Sequence, residues 1–441
     1  MKALAIFLNN FRQLWLVRSS TIFVGLGLLR GVGQFGFIMV MTRVMLPAEY
    51  GMYSNFLYLT SVLSPLFFLK SDVPVALHYS SNPRATPSYI GTVIILCSGI
   101  TFVSGVILWL AQAIVFRVTG IPSPWQMLIL VPCWTFGLFL VVSAVLQIEQ
   151  RAWAGSLSRV LPAMSCELGT MAMVLVVGGG WHTALLAYTF ISALWGGGFF
   201  IWLRINGYLH FSFTWQAARN FLNISLPLIP MSIGFMSVQI SAQFILTRYH
   251  GPGEVGIYAA ANQFSLGVWL VALACQQAFL PWLFSTLKRN EPASDLKVVV
   301  ALIGLIGVLA VSTICYILVF SFIFPLVIGP VFESGRNLLP YLAWANFFMG
   351  VQMILTCFLY FREQTKTSAL AVCSAAACGL AIGLWKIPGG GAVAAAYVTC
   401  CSAALAALFT AVTVLFNFSP TFKRATRFAI GQMRRSNWRF I

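Results

Sequence analysis

Acidic residues are scarce in this chain. Nine Asp and Glu stand against 26 Lys and Arg in 441 residues, and only 8% of the chain is charged. A water-soluble domain carries about 25% charged residues to hydrate its surface, so the shortage excludes a soluble globular protein. Histidine is scarcer still. His78, His182, His210 and His250 are scattered, with neither an HExxH run nor a Cys/His pairing, and a catalytic zinc helix needs two imidazoles on one face. The ten cysteines all fall in apolar runs and show no disulfide or metal spacing; thiols there pack as small hydrophobes. Neither metal nor cofactor is expected. A short apolar segment ending in a small-residue cleavage site is also missing from the N-terminus, so no removable signal peptide is read.

What the chain has in quantity is apolar length. Hydrophobic residues make up 60% and the mean hydropathy is +0.89. Runs long enough for a hydrocarbon core ~30 Å thick recur throughout. They predict an all-α polytopic membrane protein with twelve spans: 19–41, 53–75, 89–116, 125–148, 157–178, 181–203, 222–247, 257–283, 297–321, 339–361, 367–387 and 391–416. The connections are too short for an extramembrane domain. The expected organisation is an N-terminal segment 1–18, a six-helix bundle 19–203, a linker 204–221, a second six-helix bundle 222–416 and a basic tail 417–441.

The net charge of +17 invites a nucleic-acid reading, and its distribution removes it. With the N-terminus in the cytoplasm, inward-facing segments hold 20 of the Lys and Arg, outward loops hold five, and Arg30 stays within a span. That is the positive-inside bias of a membrane protein. Both termini are therefore expected in the cytoplasm, and no nucleic acid is expected as partner.

The sequence also repeats itself. "TRVMLPAEYGMY" at 42–53 returns as "TRYHGPGEVGIY" at 247–258, where Thr42, Arg43, Pro47, Glu49, Gly51 and Tyr53 match residues 205 positions later. Gln34 maps by the same offset onto Gln239; Glu149-Gln150 matches Glu363-Gln364, and Gly178 to Gly180 matches Gly389 to Gly391. Six spans thus repeat as six. An even number enters from the same side twice, which predicts two bundles related by a pseudo-two-fold axis along the membrane normal. Two such bundles facing across a cavity suit alternating access. The duplicated loop itself reads as structural: Pro and Gly set the turn, Arg43 and Arg248 are placed to pair with Glu49 and Glu254, and Tyr53 and Tyr258 are expected at the membrane interface.

The stretch "TRVMLPAEYGMYSNFLYLTSVLSPLF" resembles the start of bacterial polysaccharide flippases (Wzx-type) in the multidrug/oligosaccharidyl-lipid/polysaccharide exporter superfamily. "GEVGIYAAANQFSLGVWLVALACQQAFLPWL" is similar to that family's seventh-to-eighth span region. "KIPGGGAVAAAYVT" resembles a late segment of it, with Val393 where Ala is usual. The resemblance covers most of the chain and names no sugar. It implies a non-enzymatic flippase of the bacterial inner membrane that moves a polyprenyl-diphosphate-linked oligosaccharide to the outer leaflet for O-antigen, capsule or exopolysaccharide synthesis. A polysaccharide polymerase or glycosyltransferases would be its protein partners.

Such a substrate needs a cation at mid-depth and polar groups for sugar hydroxyls. Arg30, in "LGLLRGVGQFGF", costs ~2.5–3.5 kcal/mol at a bilayer centre and should face an interior partner or water. Its planar fork suits phosphate, and Gln34 shares its face. Glu167 is either the counter-ion of Arg30 or a proton or sodium site coupling transport to a gradient. Lys70 and Asp72 form a candidate pair at the inner mouth, with Asp72 a second ion-coupling candidate. Gln239, Gln243, Asn262, Trp269 and Gln276 make a polar and aromatic stripe on the seventh and eighth spans, suited to sugars or to helix packing. The tail from 417 has six basic residues, no acidic one and interleaved aromatics, which fits anionic membrane lipid. The alternatives are a multidrug exporter of the same superfamily, a membrane enzyme of polysaccharide assembly, and a facilitator-type sugar transporter.

Overall fold

A computed structural model describes residues 30–288, 291–362, 364–420 and 424, and every regular element among them is helical. Backbone groups find no water in hydrocarbon, so an apolar run can cross only by closing its own hydrogen bonds. The chain divides into two compact units. The first comprises residues up to Ser232 together with Gly251–Gly256; the second comprises Ile233–His250 and the chain from Ile257 onward.

In the first unit, α1 covers 30–44 and α2 spans Pro47–Phe68. Pro47 opens α2, and Glu49 caps it, its Oε2 accepting a hydrogen bond from the Leu46 amide at 3.0 Å. The helix stops at Leu69 and Lys70, which take the left-handed conformation at φ 46° and 54°. It resumes as α3, Asp72–Ser81. The expected span 53–75 is thus a helix broken near its C-terminal end, and its continuation past residue 75 is helix rather than loop. Then come α4 (Thr86–Leu110), α5 (Gln112–Thr119), α6 (Ser123–Gln126), α7 (Leu130–Ile148), α8 (Ala152–Val177) and α9 (Gly180–Ile205). The apolar window ending in α7 is 67% buried and that of α8 only 22%. So α7 is the unit's centre and α8 lies at its edge.

The segment after α9 is more than a linker. It runs along the start of α4: the His210 amide donates to Pro87 O at 3.1 Å and Thr92 Oγ1 to Ser212 O at 2.9 Å. It then forms α10 (Trp215–Ser225), which buries Ala218 and Phe221.

The second unit takes most of α11 (Ile229–Leu287), then α12 (Pro292–Val327), α13 (Leu339–Phe361) and α14 (Thr365–Asn417). Both α11 and α14 break at a glycine, Gly251 (φ 79°) and Gly391 (φ 56°). The halves of each fold back on one another. The ring centroids of Phe235 and Trp269 lie 6.1 Å apart, and a Cβ on Gly379 would meet Ser402 Oγ at 2.1 Å. The window ending in α13 is 78% buried, so this helix is central here as α7 is in the first unit. Nine apolar runs among the described residues are long enough to cross a membrane. Counting the two folded-back runs as two crossings each, and adding α1, recovers the expected twelve. The part of the first span from 19 to 29 lies outside the described residues, as do Glu363 and the tail beyond Arg424.

Candidate functional site

Charge inside the first unit gathers along α8. A Cβ on Gly33 of α1 would touch the Met164 methyl at 3.4 Å, and this packing brings Arg30, one turn earlier, into electrostatic reach of Glu167. The Arg30 side chain is exposed and makes no hydrogen bond or contact ion pair among the described residues. Glu167 is half-buried, and its Oε2 is buried without a hydrogen-bond partner among them. Gln34 is half-buried on the same helix as Arg30.

Tyrosines surround this pair. Glu167 acts electrostatically on Tyr50, Tyr53 and Tyr188. Tyr50 and Tyr53 are 2% and 1% exposed, and the Tyr53 ring lies 6.0 Å from Phe37 and 6.4 Å from Tyr188. Tyr53 was expected at the membrane interface and is instead part of this core. Its repeat, Tyr258, is 0% exposed, with its hydroxyl 2.8 Å from Thr399 Oγ1. Both hydroxyls are kept in the interior because they find polar neighbours there.

Lys70 and Asp72 do not form the expected pair. The helix break turns Lys70 away from the α3 register, and Asp72 instead lies in electrostatic reach of Arg159 on α8. Lys70 and Asp72 are half-buried and Arg159 is exposed, and Asp72 Oδ1 is buried without a hydrogen-bond partner among the described residues. Arg159 lies eight residues before Glu167, so about 12 Å of helix separates the two charged sites. The tyrosines were legible as an i, i+3 pair on α2, but nothing in the sequence set α2 against α8.

The second unit holds the other expected residues, and they are neutral. Gln243 is 1% exposed and lies within the helix packing rather than on an open wall. Gln239, Asn262, Trp269 and Gln276 are half-buried. Gln276 Nε2 approaches Cys357 Sγ at 3.8 Å, and Trp269 packs on Phe235. An amide network missed by the sequence reading runs beside them: Asn346 Nδ2 donates to Ser265 Oγ at 2.9 Å and to Leu342 O at 2.9 Å. Among the described residues no group of His, Cys, Asp and Glu is placed to hold a metal ion.

Comparison with solved structures fits this two-unit helical arrangement. An inward-facing multidrug resistance MATE family transporter of the MOP superfamily matches with a TM-score of 0.74 at 11% identity, over 92% of this chain and 99% of that one. The lipid II flippase MurJ, inward closed, matches with a TM-score of 0.74 at 12% identity, over 93% and 91%. An outward-facing MATE transporter matches at 0.63 and 12%, over 92% and 97%. The chain has the fold of the MOP-superfamily transporters. No family model and no curated protein matches it by sequence. That fold has two pseudo-symmetric helical bundles, as the internal repeat predicted, and the apolar helices among the described residues are long enough to cross a membrane several times. These solved structures are MATE transporters and a lipid II flippase.

Proposed function

We propose that this chain is a flippase of the bacterial inner membrane. It carries a polyprenyl-diphosphate-linked oligosaccharide from the inner to the outer leaflet by alternating access, for O-antigen, capsule or exopolysaccharide assembly. One observation carries the reading. Arg30 presents an exposed guanidinium without a contact partner among the described residues, so its fork is available to a diphosphate. Glu167 stands near enough to offset the cost of keeping that charge in the membrane when no substrate is bound. The half-buried amides and Trp269 of the second unit suit sugar hydroxyls and ring faces. A lipid-linked substrate is also what the similar flippase is named for.

The test is translocation of a fluorescent lipid-linked oligosaccharide in proteoliposomes. Arg30→Ala should abolish it and Arg30→Lys should restore part of it, with both variants inserted normally. Full translocation by a well-folded Arg30→Ala protein would remove the phosphate role.

Ion-coupled multidrug export is the second reading, and Glu167 favours it. Its carboxylate oxygen Oε2, without a hydrogen-bond partner among the described residues, is the acid that a proton or sodium site, or a cationic drug, would use. Under the flippase reading, Glu167→Gln leaves translocation down a substrate gradient intact and removes its dependence on an imposed ion gradient. Efflux of a cationic dye that disappears in Glu167→Gln, with no translocation of lipid-linked sugar by the native protein, would select the exporter instead.

A further inference from the structure

Beyond α9 the chain turns back onto its own bundle. Residues 208–214 are non-helical and lie along Pro87 to Thr92 of α4, within the run Pro83–Leu110 that is apolar enough to cross a membrane. Non-helical backbone beside such a run needs protein partners. Ser88, Gly91 and Thr92 supply them, standing three and four residues apart on one face of α4. Besides the bonds of His210 and Ser212 already described, the Thr214 amide donates to Thr92 Oγ1 and Ser212 Oγ to Ser88 O, both at 3.4 Å. A Cβ on Gly91 would lie 1.9 Å from His210 O, so the stretch sits directly on the helix.

Leu209 of this stretch is fully buried, whereas Phe211, Phe213 and Trp215 are 58%, 48% and 69% exposed. Beside this row stands Arg204, in the last turn of α9. Its Nη1 donates to Leu209 O at 3.1 Å, and its guanidinium carbon lies 5.8 Å from the centre of the Phe211 ring. A guanidinium has five N–H donors, and only this one has a partner in the chain among the described residues. The side chain is exposed, and no carboxylate pairs with it among them. The sequence has no acid between Glu167 and Glu254.

An oriented arginine beside exposed rings, at the end of a membrane-crossing helix, suits a lipid phosphate. We infer that Arg204 binds the phosphate of a membrane phospholipid, while Phe211, Phe213 and Trp215 pack beside its glycerol and upper acyl chains. Charge selects the kind of lipid. A phosphodiester carries one negative charge, which one guanidinium balances, whereas a diphosphate would leave charge unmet. Aromatic rings settle at this level of a bilayer, and the bed on α4 keeps them there. The site stands whatever the protein transports.

Native mass spectrometry of the full-length protein tests it. Delipidated protein in a maltoside detergent would be titrated with phosphatidylethanolamine, with phosphatidylglycerol and with diacylglycerol, which lacks the phosphate. The affinity of the tightest-bound lipid is the quantity read. Both phospholipids should bind roughly tenfold or more tighter than diacylglycerol. Arg204→Gln should remove that preference and leave diacylglycerol binding as it was, and Arg204→Lys should restore part of it. Because Arg204 also holds Leu209 O, hydrogen exchange over 208–214 would be followed in lipid-free micelles. The double variant Phe213→Ser with Trp215→Ser leaves that bond in place, and it should weaken all three lipids without speeding exchange. An undiminished phospholipid preference in Arg204→Gln overturns the inference. So does faster exchange in Arg204→Gln together with native lipid affinity in the double variant, which would reduce the arginine to a strut. Displacement of the phospholipid by an equimolar amount of farnesyl diphosphate would also overturn it, giving the site to a prenyl diphosphate instead.

Discussion

Gly51 and Gly256 occupy matching places in the two copies of one loop, and each lies against the other copy's proline. A Cβ on Gly51 would sit 2.0 Å from Pro252 O; a Cβ on Gly256 would sit 1.8 Å from Pro47 O. Pro47 and Pro252 are themselves repeats of each other. The contact is therefore reciprocal, and it accounts for residues 251–256 packing with the first unit while the chain on either side belongs to the second.

That contact predicts the effect of one methyl group. Gly51→Ala and Gly256→Ala should each lower stability by ~1–3 kcal/mol, the usual cost of overpacking, because the obstacle is backbone that cannot swing aside. The pair should behave alike, and the double variant should cost less than the sum, since the first intrusion already parts the loops. Thermal unfolding in detergent measures this. Two alanine variants with native melting curves would show that the approach is not tight in the working protein.

Asp72 and Arg159 should depend on each other. Neutralising Arg159 leaves the half-buried Asp72 carboxylate without its nearby cation, which costs less than the ~3–5 kcal/mol of a fully buried broken pair but enough to lower expression. Neutralising Asp72 leaves an exposed Arg159 and should cost less. Exchanging the two, Asp72→Arg with Arg159→Asp, should recover much of the loss. By contrast Lys70→Gln should be nearly silent for stability. If Lys70→Gln proves as damaging as Asp72→Asn, the pairing lies where the sequence first suggested it.

Tyr208 predicts an alkaline limit. Its hydroxyl and that of Tyr79 both donate to Glu149 Oε1, while Arg151 Nε holds Oε2 at 3.0 Å. Burial first, then the bond to Glu149 and the charge of that carboxylate, push the Tyr208 phenol from its ordinary 10 up to about 12. The folded protein then holds this proton more tightly than the unfolded chain. The resulting stability is complete below about pH 10 and is lost as pH rises toward 12. Melting temperatures at pH 9 and pH 11 should differ less for Tyr208→Phe than for the native chain. An unchanged difference would mean that the phenol ionises as it does in the unfolded state.

Much of the architecture was legible beforehand. Span 339–361 coincides with α13, and most other span ends fall within a few residues of the helices, because a run of apolar residues in lipid has one way to satisfy its backbone. The broken second span was not legible. "FFLKSDVP" contains no glycine at the break, and Leu69 and Lys70 adopt positive φ only because their surroundings hold them there. The candidate site was legible by residue but not by partnership. Arg30 and Glu167 stand out as charges inside apolar runs, yet nothing in the sequence places Asp72 within electrostatic reach of Arg159. Gln243 looked like a member of a polar stripe, and only packing shows that its face is closed.

The sequence alone determined that this is a membrane protein of two like halves, and which few charges it keeps inside them. Composition and period suffice for that, since hydrocarbon excludes water and every span must close its own hydrogen bonds. Tertiary structure decided which charges lie within reach of one another, which tyrosines are buried in the core, and that the two copies of the loop touch through Gly51 and Gly256. Those are facts of helix adjacency, and two residues a hundred positions apart become neighbours only through the packing of everything between them.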